Sequence, residues 1–166
     1  GEKPEDNPVV PEVKPEQKPV VEEEIKGAIT SDSLTDKGDE NPYKDLIGKD
    51  DEGNDVIDFG KLDKEDSKVD IIKIESEEVG GKNSVIAAAP SKPVTIDLAG
   101  KDLAVIGSAS NEAHGIQAIG SDVTIKEAGY VTITANAGET GSASAIYAKG
   151  GENKANVTIE NSGTVK

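Results

Sequence analysis

The sequence predicts an all-β chain: a parallel β-helix of about three and a half coils in its C-terminal part, behind a disordered or loosely ordered acidic segment. Three observations carry this. The motif Val-Thr-Ile-x-x-x-Gly occurs at Val94–Gly100, Val123–Gly129 and Val157–Gly163 with the same internal spacing. A second block, Gly115–Gly120, returns as Ala145–Gly150. Apolar residues are also unevenly spread, with Val, Ile, Ala and Gly crowding the chain from Val85 onward and acids, Lys and Pro dominating before it.

Residues 1–24 form the first segment. Pro4, Pro8, Pro11, Pro15 and Pro19 remove backbone donors while the intervening charges repel, so the stretch reads as an extended, semi-rigid linker. Residues 25–68 remain acidic, with scattered apolar pairs such as Leu46-Ile47 and Val56-Ile57. Asp50–Asp55 is a turn by composition, Val56–Phe59 a short strand after it, and the region is expected to be a partly ordered cap over the first coil. Solenoids need such caps, because a bare end exposes core and strand edges.

Residues 69–166 hold the coils, starting with the strand Val69–Ile74. The Val-Thr-Ile motifs lie 29 and then 34 residues apart, which indicates one repeated unit with insertions in its loops. Each unit contains three strand candidates: Val94–Leu98, Leu103–Ile106 and Ile116–Ile119, then Val123–Ile125, Val131–Ile133 and Ala145–Ala148. Their period of two puts Val94, Ile96, Leu103, Val105, Ile116 and Ala118 inside and Thr95, Thr124, Thr132 and Thr158 outside. An antiparallel sandwich, with hairpin turns between strands, leaves the recurrence of whole units unexplained.

Charge narrows the function. The chain carries 33 acids against 18 Lys, with no Arg, and a formal charge of -15. Such a field repels phosphate, so no nucleic-acid partner is expected, and no apolar run is long enough for membrane insertion by this segment. The absence of Cys removes disulfides and thiolate metal sites, which suits a protein that crosses an envelope unfolded. Gly1 is not a start Met and Lys166 falls within a repeat, so the chain reads as excised from a longer protein.

Ala145-Ile146-Tyr147-Ala148-Lys149-Gly150-Gly151, followed by Val157–Val165, resembles the repeats of bacterial autotransporter passenger domains. The resemblance covers roughly residues 84–166 and implies a right-handed β-helix displayed at the outer membrane of a Gram-negative cell. The Pro-rich start is also similar to the wall-spanning stretches of Gram-positive surface proteins, and that origin stays open.

Residues able to carry chemistry are sparse. Asp97, Glu127 and Glu160 stand near strand ends, one per coil, and read as a solvated edge rather than the paired carboxylates of a glycosidase. The one His, His114, is placed in a loop before Gly115 as an exposed turn residue; Ser108 and Ser110 are near it in sequence, with no orienting acid. Asp50, Asp51, Glu52, Asn54, Asp55 and Asp58 crowd the Gly53 turn, but Gly48 stands where an EF-hand needs its first Asp, so a charged turn is preferred to a calcium loop. Asn111, Asn136 and Asn161 are not equivalent across coils and form no ladder. No catalytic, cofactor-binding or metal site is assigned, and no cofactor is expected.

The segments Gly107–His114 and Thr134–Ser144, both containing Gly-Ser-Ala-Ser, join the second strand to the third and are the expected binding loops. The leading expectation is a non-enzymatic, surface-exposed bacterial adhesin or self-association passenger with weak homotypic contacts along the flank. A module binding a host surface glycan or matrix protein through its loops is the alternative. A fragment of a β-helical polysaccharide-degrading enzyme is the second.

Overall fold

A strand with one buried face is marginal alone, so the short alternating segments of this chain must stack to bury their apolar sides. The computed structural model describes residues 18–166 and shows that stack, a parallel β-solenoid of about three turns. Its strands are β1 (Glu22–Lys26), β2 (Ile29–Thr30), β3 (Ile47–Lys49), β4 (Asp55–Asp58), β5 (Ile71–Glu75), β6 (Lys82–Ala88) and β7 (Val94–Asp97). They continue with β8 (Asp102–Ala109), β9 (Glu112–Ile119), β10 (Val123–Lys126), β11 (Val131–Ala137), β12 (Ser142–Lys149) and β13 (Val157–Glu160).

Each coil gives one strand to each of three sheets. The first sheet runs β1-β5-β8-β11, the second β2-β6-β9-β12 and the third β4-β7-β10-β13, with β3 antiparallel against β4 at its edge. The sequence motifs stack directly: Val94 is in register with Val123 and Val123 with Val157, and Ile96, Ile125 and Ile159 follow the same line. Every residue expected inside from the alternation, from Val94 through Ala118, is buried. Thr95 and Thr124 are half-buried on the outside, and Thr132 and Thr158 are exposed there.

The acidic N-terminal region enters the stack itself. The first seventeen residues of the linker expected over 1–24 lie outside the described residues, and Glu22–Glu24 belong to β1, which pairs in parallel with β5. Within the stretch expected as a cap over 25–68, β2 pairs with β6 and β4 with β7, so this stretch is itself one coil. It also closes that end. Tyr43 and Phe59 are fully buried with rings edge to face, Leu34 and Leu46 pack in the same core, and the Tyr43 hydroxyl donates to the Gly27 carbonyl at 2.7 Å. Burial pushes the Tyr43 pKa up. At the other end the last coil is more open, with Ile146 and Val165 both 44% exposed.

Like charges threaten this acidic coil, and local Lys residues answer them. Lys73 on β5, in register with Glu24, lies 3.7 Å from it and 3.4 Å from Glu75, and its pKa is raised first by the Glu75 hydrogen bond and then by Glu24. A buried tie joins cap to coil at Lys101. This side chain, 4% exposed, donates to the Asp63 carboxylate at 2.7 Å and to the Val69 carbonyl at 2.8 Å. Asp63 also accepts the Val69 N–H at 3.0 Å. The Lys101 hydrogen bond is the main cause holding the Asp63 carboxyl below its usual range.

Lys101→Met is expected to lower stability by about 2 kcal/mol, because it removes one member of a largely buried, hydrogen-bonded pair. For a chain of this size that is a melting temperature lower by roughly 6 °C. Since the folded-state Asp63 pKa is depressed, the pair's contribution is full above the unfolded carboxylate value of about 3.9 and is lost as pH falls through the folded value. Thermal melts across the acid range should therefore show a shallower acid limb in the variant. Unchanged melting with an unchanged limb would deny the tie any stabilising role.

Candidate contact surface

The outer face of the second sheet carries rows of polar side chains that meet across the coils. Register sets it out in rows along the axis: Lys82, Glu112 and Ser142; then Ser84, His114 and Ser144; then Thr30, Ala87, Gln117 and Tyr147. The Ser84 hydroxyl donates to Gln117 Oε1 at 2.9 Å across two coils, and the Lys82 ammonium lies 3.7 Å from Glu112.

His114 corrects the expectation of an exposed turn residue. It lies within β9 and its side chain is buried, 6% exposed. Glu112 Oε1 sits 2.9 Å from its Nε2, and the Tyr147 ring from the next coil covers it at a centroid distance of 4.7 Å and a tilt of 32°. The Glu112 carboxylate can only accept, so Nε2 is the donor of this bond, and Nδ1 is buried without a hydrogen-bond partner. The hydrogen bond from His114 is the first cause of the lowered Glu112 pKa.

The misplacement has a physical source. Strict alternation fails at Gly115–Ile116, where consecutive positions are both buried, as they are at Val85–Ile86 one coil earlier. Gly115 is obligatory there, because a Cβ would come within 2.4 Å of Ile133 Cγ2 and 2.9 Å of the Ala145 carbonyl oxygen. Counting back by twos from Ile116 loses the strand at this slip, although it runs on to Glu112.

The two expected binding loops are corrected as well, because the strands on either side of each run on into it. Gly107–His114 is strand apart from the Ser110–Asn111 corner, and Thr134–Ser144 is strand outside residues 138–141. Their Gly-Ser-Ala-Ser segments are not equivalent, one ending β8 and the other opening β12. Length varies most at another corner, between the second and third sheets: residues 31–54 in the first coil, 89–93 in the next, 120–122 after it and 150–156 in the last. Most of the difference between the 29- and 34-residue repeats lies there.

Three adjoining hollows of about 450, 350 and 440 Å³ follow that corner along the axis. The first two share Ser31, Asp32 and Lys92, and the second and third share Pro90 and Ile119, so together they make one shallow trough past all four strands of the second sheet.

The remaining candidates have structural roles. Asp50 Oδ1 accepts the N–H groups of Glu52 at 3.0 Å and Asn54 at 2.8 Å, closing the turn between β3 and β4, and the Asn54 bond leads the causes of its lowered pKa. Asp55 pairs with Lys49 at 2.6 Å, and Asp58 accepts the Gly60 N–H at 2.9 Å. Asp97, Lys126 and Glu160 occupy one register line on the third sheet. Glu127 is the next residue on, at φ 57°, and it receives a hydrogen bond from Asn161 at 3.0 Å, itself at φ 48°. Among the described residues no three His, Cys, Asp or Glu side chains are grouped to hold a metal ion.

His114→Phe keeps an aromatic ring under Tyr147 and removes the bond to Glu112. The Glu112 pKa, read by NMR from carboxyl shifts, is expected to rise toward the ordinary glutamate value of about 4.3, with Lys82 retaining part of the depression. An unmoved Glu112 titration would show that the His114 bond does not form in solution. In comparisons with known proteins, no family model, curated protein or solved structure matches this chain.

Proposed function

We propose that this chain is a non-enzymatic contact module of a bacterial surface protein, acting in adhesion or self-association through the flank of its solenoid. The autotransporter passengers that its last repeats resemble offer a functional parallel. The observation that carries the reading is the repetition of outward side chains in register: Thr95, Thr124 and Thr158 in one row of the third sheet, and Asp97, Lys126 and Glu160 in the row beside it. Such rows give a stiff, flat surface on which a second rod can align and make many weak contacts at once, so that affinity grows with the number of coils engaged.

Each exposed charge contact adds little. A formal charge of -15 opposes close approach of two copies, and added salt shortens the range of that repulsion to about 10 Å at 0.1 M. Sedimentation velocity over a concentration series is expected to show weak association that strengthens from low to moderate salt. A strict monomer at high concentration in both conditions would remove self-association, and cleavage of any polysaccharide by the purified chain would remove the non-enzymatic reading altogether.

A further inference from the structure

We infer that the trough along the corner between the second and third sheets binds an extended, uncharged polysaccharide lying parallel to the solenoid axis, with Gln117 presenting its amide within the trough and Tyr147, in register with Gln117, flanking it. The inference goes beyond flank-to-flank contact and uses a different surface.

Charge comes first. Lys92, Lys149, Asp32 and Glu152 line the trough, none of them in an ion pair among the described residues, while Asp55 beside them is already held by Lys49. The unpaired charges cancel, two against two, in a chain whose formal charge is -15. A neutral ligand carries no charge for the acidic field of the molecule to repel, whereas an anionic polymer is opposed by it.

Hydrogen bonding points the same way. A bound peptide would add itself to a free strand edge. The backbone along this corner is already committed: the Ser91 N–H donates to the Gly120 carbonyl at 3.1 Å, the Gly120 N–H to the Lys149 carbonyl at 2.9 Å, and the Gly151 N–H to the Asn153 carbonyl at 3.0 Å. Side chains are left to do the recognising. Gln117 uses its Oε1 on Ser84 and keeps its amide N–H groups for a ligand, and hydroxyls from Thr30 and Ser91 stand along the same line. Hydroxyl and amide groups beside small apolar plates such as Pro90 and Ile119 suit a polyhydroxylated chain with apolar ring faces.

Geometry supplies the repeat. Coils are one strand spacing apart, about 4.8 Å, close to the length of one extended hexose unit, so successive sugars meet successive coils. Tyr147 follows Gln117 in the row, beside the trough, and its stack on His114 fixes the ring as a flanking wall before any ligand arrives. The turns flanking the trough are those of most variable length, as expected of a solenoid's binding side.

Affinity gel electrophoresis of the full chain tests this with xyloglucan, mixed-linkage β-glucan and mannan as neutral probes and polygalacturonate as the anionic one. Expected is retardation by at least one neutral polymer that persists at high salt. Tyr147→Ala should weaken it about tenfold, in line with loss of an aromatic contact, and Gln117→Ala should weaken it less, with both variants checked for unchanged melting. No retardation by any neutral polymer, retardation only by polygalacturonate and abolished by salt, or retention untouched by both substitutions would each overturn the inference. Sedimentation of Tyr147→Ala separates the two readings, because self-association through the third sheet should survive loss of the trough.

Discussion

The fold depends on one constraint: each strand finds its backbone partners a whole coil away. Apart from β3 against β4, every ladder is parallel and joins segments separated by a complete circuit of the chain. Outside that one hairpin no local pairing can form first and recruit the rest, and a single coil cannot satisfy its own N–H and C=O groups. Register therefore has to hold through every coil at once. Side chains enforce it from the inside, since a slip by one residue would turn Val94, Ile96 and their equivalents to solvent and bring Thr95 and Asp97 into the core.

Where turns cross, close packing leaves no room for choice. A Cβ on Gly107 would come within 2.6 Å of the His114 carbonyl oxygen, and one on Gly141 within 2.6 Å of that of Asn111. Gly107 lets β8 and β9 of one coil approach closely, and Gly141 lets the corners of successive coils nest. The same economy governs polar groups inside the corners: Asn83, almost wholly buried, donates to the Ser76 and Ser108 carbonyls and accepts from the Ser76 hydroxyl, so no group of its amide is left without a partner.

Much of this was legible in the sequence. Val-Thr-Ile repeats separated by a coil's length specify parallel stacking, because equivalent residues must meet equivalent neighbours, and the inward set of six residues follows from alternation alone. Two things were hidden. The first coil was, since Glu22-Glu23-Glu24-Ile25-Lys26 offers a single buried side chain, Ile25, and owes its strand to the ladder with β5 and the charges of Lys73. The contact surface was hidden as well: the slip at Gly115 conceals that His114 continues a strand, and a contact between His114 and Tyr147 thirty-three residues later is visible only once register is known.

Variation in length is concentrated at one corner, and this separates two kinds of evolutionary freedom. Sheets are held in step by residues that tolerate little change, whereas the chain between the second and third sheets runs from the three residues 120–122 to the long excursion 31–54 without disturbing the rung on either side. The contour of the rod can thus be redrawn coil by coil, by lengthening or replacing one excursion, while the sheets beneath keep their pitch. A solenoid built this way can vary its surface without varying its architecture.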